Sequence, residues 1–168
     1  MNIACWLAAT AKLRPEAPAL LTGFDLDADY QTFARRAAAI GAALSREYGI
    51  GPGDRIAVFA SNCTQYLECL YGIWWMGAAA IPINAKLHGR EAAWICSDAG
   101  AKLAFVSDDT IEALTEVKGD LPASMKLLSL DSEAYRIMRE GRLHRLRARS
   151  MISPGCSIRR APRAGRKA

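Results

Sequence analysis

Apolar and polar positions along the chain fall into blocks of two kinds. From Asp29 to Tyr48 the apolar residues Phe33, Ala37, Ile40 and Leu44 recur at spacings of four, three and four, a stripe along one side of a helix. Arg35, Arg36, Arg46 and Glu47 lie off that stripe and are expected in water; Asp29 suits the N-cap and Gly49 the residue after the last turn. The second kind is a short unbroken apolar run: RIAVFA (Arg55–Ala60), AAAIPI (Ala78–Ile83), KLAFV (Lys102–Val106) and MKLLSL (Met125–Leu130). Runs of this length between turn residues fit strands buried on both faces.

Helical segments separate these runs. Ser61 or Asn62 is expected to cap a helix that continues through Met76 and stops at Gly77; Arg90–Ser97 and Asp108–Val117 supply two more, the first ended near Gly100. Upstream, Ile3–Leu13 reads as a helix with Ile3, Trp6, Leu7 and Leu13 leaning to one side and Pro15 stopping it. Ala17–Phe24 reads as a strand followed by an acidic turn, DLDAD. Strands alternating with helices predict an α/β fold with a mostly parallel sheet. The second half of the helix ending at Met76 is apolar nearly all round, as in a helix wedged between layers. Trp74 and Trp75 point to different sides, so core packing explains them better than an aromatic binding box.

Charge changes this picture at one end. The chain of 168 residues has a formal charge of +5, yet residues 1–140 hold 13 Lys/Arg against 17 Asp/Glu. The basic excess sits in the last 28 residues, with nine Lys/Arg and no acid. That stretch, which includes SMISPGCSIRRAPRAGRKA, shows no apolar periodicity. We therefore divide the chain into an α/β portion, residues 1–135, and an irregular basic tail, residues 136–168. The five cysteines (Cys5, Cys63, Cys69, Cys96 and Cys156) form no C-x-x-C pair and read as reduced, mostly buried thiols of a cytoplasmic protein. The N-terminus has neither the basic start of a signal peptide nor an uninterrupted membrane span.

Candidate chemistry is sparse. His88 and His144 are the only histidines, and no nucleophile–base arrangement or carboxylate pair stands out. GIGPGD (Gly49–Asp54) has the composition of a phosphate loop but the wrong place, since it ends a helix and leads into a strand. It reads as a helix-terminating turn.

The order of elements from Tyr48 to Val106 resembles the N-terminal region of the AMP-forming acyl-CoA synthetases of the adenylate-forming superfamily. The features that carry the resemblance are Gly51, Pro52, Gly53, Asp54 and Arg55 leading into a strand, Asn62 opening a helix with Tyr66 after it, Gly77 ending that helix, and IPIN with Pro82 and Asn84, followed by Leu87. RPEAPALL (Arg14–Leu21) and the helix after Asp29 fit as well, so about 130 residues are covered. HGRE, from His88 to Glu91, departs from the Thr or Ser with Pro usual there, which predicts a weaker helix cap. The resemblance implies an enzyme that joins a small-molecule carboxylate to AMP using ATP and Mg²⁺, then passes the acyl group to coenzyme A. It also implies a Thr/Ser/Gly-rich phosphate loop ending in Lys, shortly after the last predicted strand.

No such loop is readable in residues 131–168. Shifting the reading frame by one base, MISPGCSIRRAPRAGRKA can be re-read with synonymous codons as DLAWLFYTSGTTGRPKG, which is that loop with its lead-in. The expectation is a frameshift between about Met138 and Arg147. The signature residues then serve structure, and no catalytic, cofactor or metal residue is expected in this chain. The chain alone is expected to bind no cofactor, to lack ligase activity, and to be poorly soluble or self-associating through an open sheet edge and the apolar surface around Trp74 and Trp75, with disorder after about Ser132. Two alternatives remain: a basic arm for nucleic acid on a small α/β module, or a stand-alone α/β module binding a small ligand.

Overall fold

In the computed structural model, which describes residues 2–141, α2 (Tyr30–Tyr48) is the longest helix, and the pattern that predicted it is the pattern that packs. Phe33, Ala37, Ile40 and Leu44 are all buried. Asp29 Oδ1 accepts the Thr32 N–H at 2.7 Å, and Gly49 closes the helix at φ 65°, a left-handed conformation that costs glycine little. Before it come α1 (Ala4–Leu13) and a hairpin of β1 (Pro18–Thr22) and β2 (Asp25–Asp29).

β2 replaces the predicted acidic turn. Gly23 at φ 63° and Phe24 form a two-residue connection, and DLDAD pairs antiparallel with β1, Thr22 opposite Asp25 and Pro18 opposite Asp29. Asp is disfavoured in strands, but here the pleat turns Ala28 into the core and leaves Asp25 and Asp27 exposed. The predicted face of α1 is also corrected. Ala4 and Leu7 face inward, whereas Trp6 and Leu13 are exposed.

Four strands make the main sheet: β3 (Arg55–Phe59), β4 (Ala79–Ile83), β5 (Leu103–Val106) and β6 (Lys126–Ser129). All pairings are parallel, in the order β4-β3-β5-β6. The helices between them are α3 (Thr64–Trp75), α4 (Gly89–Asp98) and α5 (Asp108–Glu116). Alternate strand residues serve opposite layers. Ile56, Val58, Leu103 and Phe105 pack towards α2 and α3, whereas Ala57, Phe59, Ala104 and Val106 pack towards α4 and α5. The central strands β3 and β5 are therefore covered on both faces, as their unbroken apolar runs required, whereas the edge strands β4 and β6 are only partly buried.

Three further expectations are corrected. Neither Ser61 nor Asn62 caps α3; Cys63 precedes its first turn in extended conformation, with no side-chain cap. The His88 start of α4 is reinforced by Glu91, whose Oε2 accepts the His88 N–H at 3.0 Å. Helix α6 (Glu133–Glu140) crosses the expected boundary at residue 135 and occupies residues expected to be disordered. Tyr135 and Met138 anchor it in the core. The phosphate loop sought after β6 and the basic tail from Arg142 onward lie outside the described residues.

Trp74 and Trp75 are half-buried rather than open to water. Tyr71 stacks edge-on against Trp74 at 5.2 Å, and Asn2 Nδ2 donates to the Trp74 carbonyl at 2.6 Å. At each sheet edge one outward main-chain group is removed or taken up. Ala79 N–H reaches across to Asp54 O, so by alternation Pro82 lies at an outward-facing position and removes the donor an added strand would use. At the other edge Ser132 Oγ donates to the Ser129 carbonyl at 2.6 Å. Among the described residues the large apolar side chains left exposed lie elsewhere: Ile3 just before α1, Trp6 and Leu13 on α1, Leu21, Phe24 and Leu26 on the hairpin, Leu67 on α3 and Trp94 on α4.

Candidate functional site

The ten residues singled out from the sequence divide between opposite ends of the sheet. Gly51, Pro52, Gly53, Asp54, Arg55 and Gly77 gather where β3 begins. Asp54 Oδ2 accepts the Gly51 N–H at 2.8 Å, Gly53 N–H donates to the Gly77 carbonyl at 3.0 Å, and Lys102 Nζ lies 2.7 Å from Asp54 Oδ1. Lys102, and then the Gly51 N–H, hold the Asp54 carboxyl below its ordinary range. This is a turn that brings the start of β3 beside those of β4 and β5. Its amide groups are directed to partners within the turn and at Gly77.

Asn62, Tyr66, Pro82 and Asn84 gather at the other end, about 15 Å away along strands rising ~3.3 Å per residue. There the loops after β3 and β4 enclose a cleft of about 410 Å³, lined chiefly by Ser61, Asn62, Tyr66, Pro82, Asn84 and Lys86. The backbone builds this wall because Asn84 turns the chain: its Oδ1 accepts the Lys86 N–H and its carbonyl accepts the Leu87 N–H, both at 3.0 Å. Open α/β sheets bind ligands outside the carboxyl ends of their strands, which makes this end the candidate site. A second groove, about 480 Å³, runs between β1 and the start of α3, and Asn62 borders both.

The crevice where the winding reverses, between β3 and β5, is closed by side chains. Ser107 Oγ accepts the Ser61 N–H at 3.0 Å, Ser61 and Ser107 hydroxyls both donate to Asp109, and Thr110 Oγ1 donates to the Phe59 carbonyl at 2.6 Å. Sequence reading missed this cluster; the pattern SDDT (Ser107–Thr110), a helix start rich in capping residues, was the available signal.

The cleft can hold and orient a polar molecule with amides, hydroxyls and one ammonium. It presents no carboxylate, so this lining does not fit Mg²⁺, which takes carboxylate and other oxygen ligands. Cys63 beside it is exposed, and desolvation around its sulfur raises the thiol above the ordinary cysteine range. His88 is exposed at the start of α4. The free thiols among the described residues are Cys63, Cys69 and Cys96. No helix among the described residues is long and apolar enough to cross a membrane.

A doubly wound parallel sheet with its cleft at the strand C-termini defines a ligand-binding α/β class. Comparison with known proteins narrows it. Residues 7–146 match the family model of the AMP-binding enzymes, and the chain belongs to that family. The crotonobetaine/carnitine–CoA ligase of Salmonella paratyphi B is 33% identical over 85 residues, covering 51% of this chain and 16% of that protein. The N-terminal domain of FACL13 from Mycobacterium tuberculosis superposes with a TM-score of 0.74 and 27% identity, over 82% of this chain and 36% of that one. The anthranilate CoA ligase AuaEII, solved with anthranoyl-AMP, shares the fold at a TM-score of 0.72 and 22% identity, over 77% of this chain and 24% of that one. The chain thus corresponds to the N-terminal region of AMP-forming CoA ligases and spans about a sixth of the curated relatives it matches.

Proposed function

We propose that this chain supplies the first part of the large domain of an AMP-forming acyl-CoA ligase, and that by itself it forms no acyl-adenylate. The match of residues 7–146 to the AMP-binding family carries this reading. In the complete enzyme the reaction joins a carboxylate to AMP with release of pyrophosphate, then transfers the acyl group to the thiol of coenzyme A. Anchoring a triphosphate takes a cradle of backbone N–H groups and a cation. The glycine turn at Gly51–Asp54 is not such a cradle, because it precedes a strand and its geometry serves β3. The fragment's part is a scaffold that holds Asn62, Tyr66 and Asn84 at the strand C-termini, towards which a ligase would direct its substrates.

The test is ATP–pyrophosphate exchange by the purified chain with a panel of aliphatic and aromatic carboxylates. The expected result is no exchange above the protein-free rate; adenylate formation overturns the reading. The out-of-frame reading of the tail is tested separately by sequencing the coding DNA past codon 141. Helix α6, built from residues up to Glu140, and the family match, which runs to residue 146, support ordinary in-frame sequence up to the interval between about Met138 and Arg147 where the shift is placed. A shifted frame that encodes no Thr/Ser/Gly-rich loop removes that idea and leaves the family membership intact.

A further inference from the structure

The centre of the α2–α3 layer holds a carboxylate out of contact with water. Glu68, on α3, is fully buried. Its Oε1 accepts Arg36 Nη1 from α2 at 2.9 Å and lies 3.2 Å from Arg139 Nη2 of α6; its Oε2 accepts the Tyr135 hydroxyl, also of α6, at 2.9 Å. Asp27 of β2 extends the network, 3.6 Å from Arg36 Nη1. Both Arg36 and Arg139 side chains are largely covered.

Two of the three groups that satisfy Glu68 come from one short helix at the edge of the layer. Helix α6 has eight residues, a length with little stability of its own. Its apolar anchors are Tyr135, edge-on to Phe105 at 6.2 Å, and Met138; Glu133, Arg136 and Glu140 are exposed. It rests on α2 and β6 and lies on the face opposite α4 and α5. Cys69 of α3, fully buried, belongs to the same core cluster as Tyr135 and Met138 of α6.

We propose that α6 is a clamp, latched through Glu68 by Arg139 and Tyr135, that opens as a unit while the rest of the fold stays closed and in opening uncovers Cys69. The physical basis is the imbalance between the two sides. Closing α6 completes the shell of a buried carboxylate, so the latch is strong while both donors are in place. Losing one donor leaves charge short of partners, and the remaining grip of a short helix with two apolar anchors is weak. Local openings of this kind, below the free energy of global unfolding, belong to elements with few buried apolar contacts. The inference rests on the geometry of this layer and stands apart from the ligase reading.

Thiol labelling tests it, because the chain carries its own control. Cys96 is equally buried, on the opposite face under α4. The full chain is pulsed with a maleimide in native buffer, and labelled peptides are quantified by mass spectrometry. Exposed Cys63 is expected to react fastest, Cys69 more slowly but measurably, and Cys96 the slowest. Arg139→Met is expected to speed Cys69 labelling about tenfold or more, the scale of one lost charged hydrogen bond, and to leave Cys96 unchanged. Tyr135→Phe keeps the ring packing and is expected to give a smaller rise at Cys69 alone. Leu114→Ala, in the α4–α5 layer, is expected to raise both sites together through global unfolding. Equal rates at Cys69 and Cys96 in the unmodified chain, or a parallel rise at both in the α6 variants, overturn the proposal.

Discussion

The two faces of the sheet are packed by different means. The α4–α5 face is built mostly from small and aliphatic groups around Phe59: Ala57, Ala92, Ala93, Ala101, Ala104, Cys96 and Leu114 are all buried there, and Thr110, the one buried polar side chain on that side among the described residues, is satisfied by the Phe59 carbonyl. Its spacing is set by backbone approach, since a Cβ on Gly89 would collide with the Ala113 carbonyl. The α2–α3 face also has a close crossing, Gly41 and Gly72, where a Cβ on Gly72 would come within 2.6 Å of Ile40 Cγ2. It adds what the other face lacks, a buried carboxylate with two arginines and a tyrosine around it. A small-residue interface fixes distance and tolerates no added volume. A charged hub fixes which helices meet and tolerates no missing partner.

That contrast can be broken from either side. The largest expected effect is at the hub: Arg36→Met leaves Glu68 buried with one arginine fewer, and breaking a buried pair costs about 3–5 kcal/mol. Urea denaturation measures it, and a loss below ~1 kcal/mol would show that Glu68 is not held as the geometry indicates. Replacing Glu68, Arg36 and Arg139 with apolar residues together with Tyr135→Phe sharpens the point, because apolar replacement of a whole buried network is often neutral or stabilising. Next is Gly89→Ala, which forces α4 off α5 and is expected to cost about 1–3 kcal/mol by overpacking. Asp29→Ala removes the α2 cap outside both layers and is expected to cost about 1 kcal/mol, read from the same denaturation curves.

The smallest effect is acid sensitivity. Asp29, Asp54 and Asp109 have carboxyls held below the usual 3.8, chiefly by the Thr32 N–H, by Lys102 and by the Ser107 hydroxyl respectively. Groups lowered on folding stabilise the fold above their unfolded pKa and lose that contribution as pH falls through the folded value. Melting temperature is therefore expected to be level with respect to these groups above about pH 5 and to decline below about pH 4. The Asp54 share should shrink in high salt, since its Lys102 partner is exposed. A melting temperature that rises on acidification would contradict the assignment.

Legibility in the sequence followed the range of the interactions. Helix α2 was readable because its stripe and its cap lie within one element, and the parallel strands because burial on both faces writes an unbroken apolar run. β2 was not, since three aspartates argue against a strand until the hairpin pairs them with β1. Helix α6 was not, since two buried side chains in eight residues make a faint pattern beside a basic tail. Of the candidate site, Asn62, Tyr66, Pro82 and Asn84 were singled out through the resemblance, but as structural residues. That they line one cleft while Gly51–Arg55 lie at the far end required the strand order.

The sequence by itself determined the alternation of strands and helices, the turn residues and the family, because each is written in spacings of a few residues. Only the tertiary structure decided that Arg36 turns inward instead of facing water, and that Glu68 draws together α2, α3 and α6. Tyr135 and Glu68 are 67 positions apart in the chain, and no local pattern records such a pairing. A buried charge is tolerable only where distant donors converge on it, and that convergence exists only once the layers have closed.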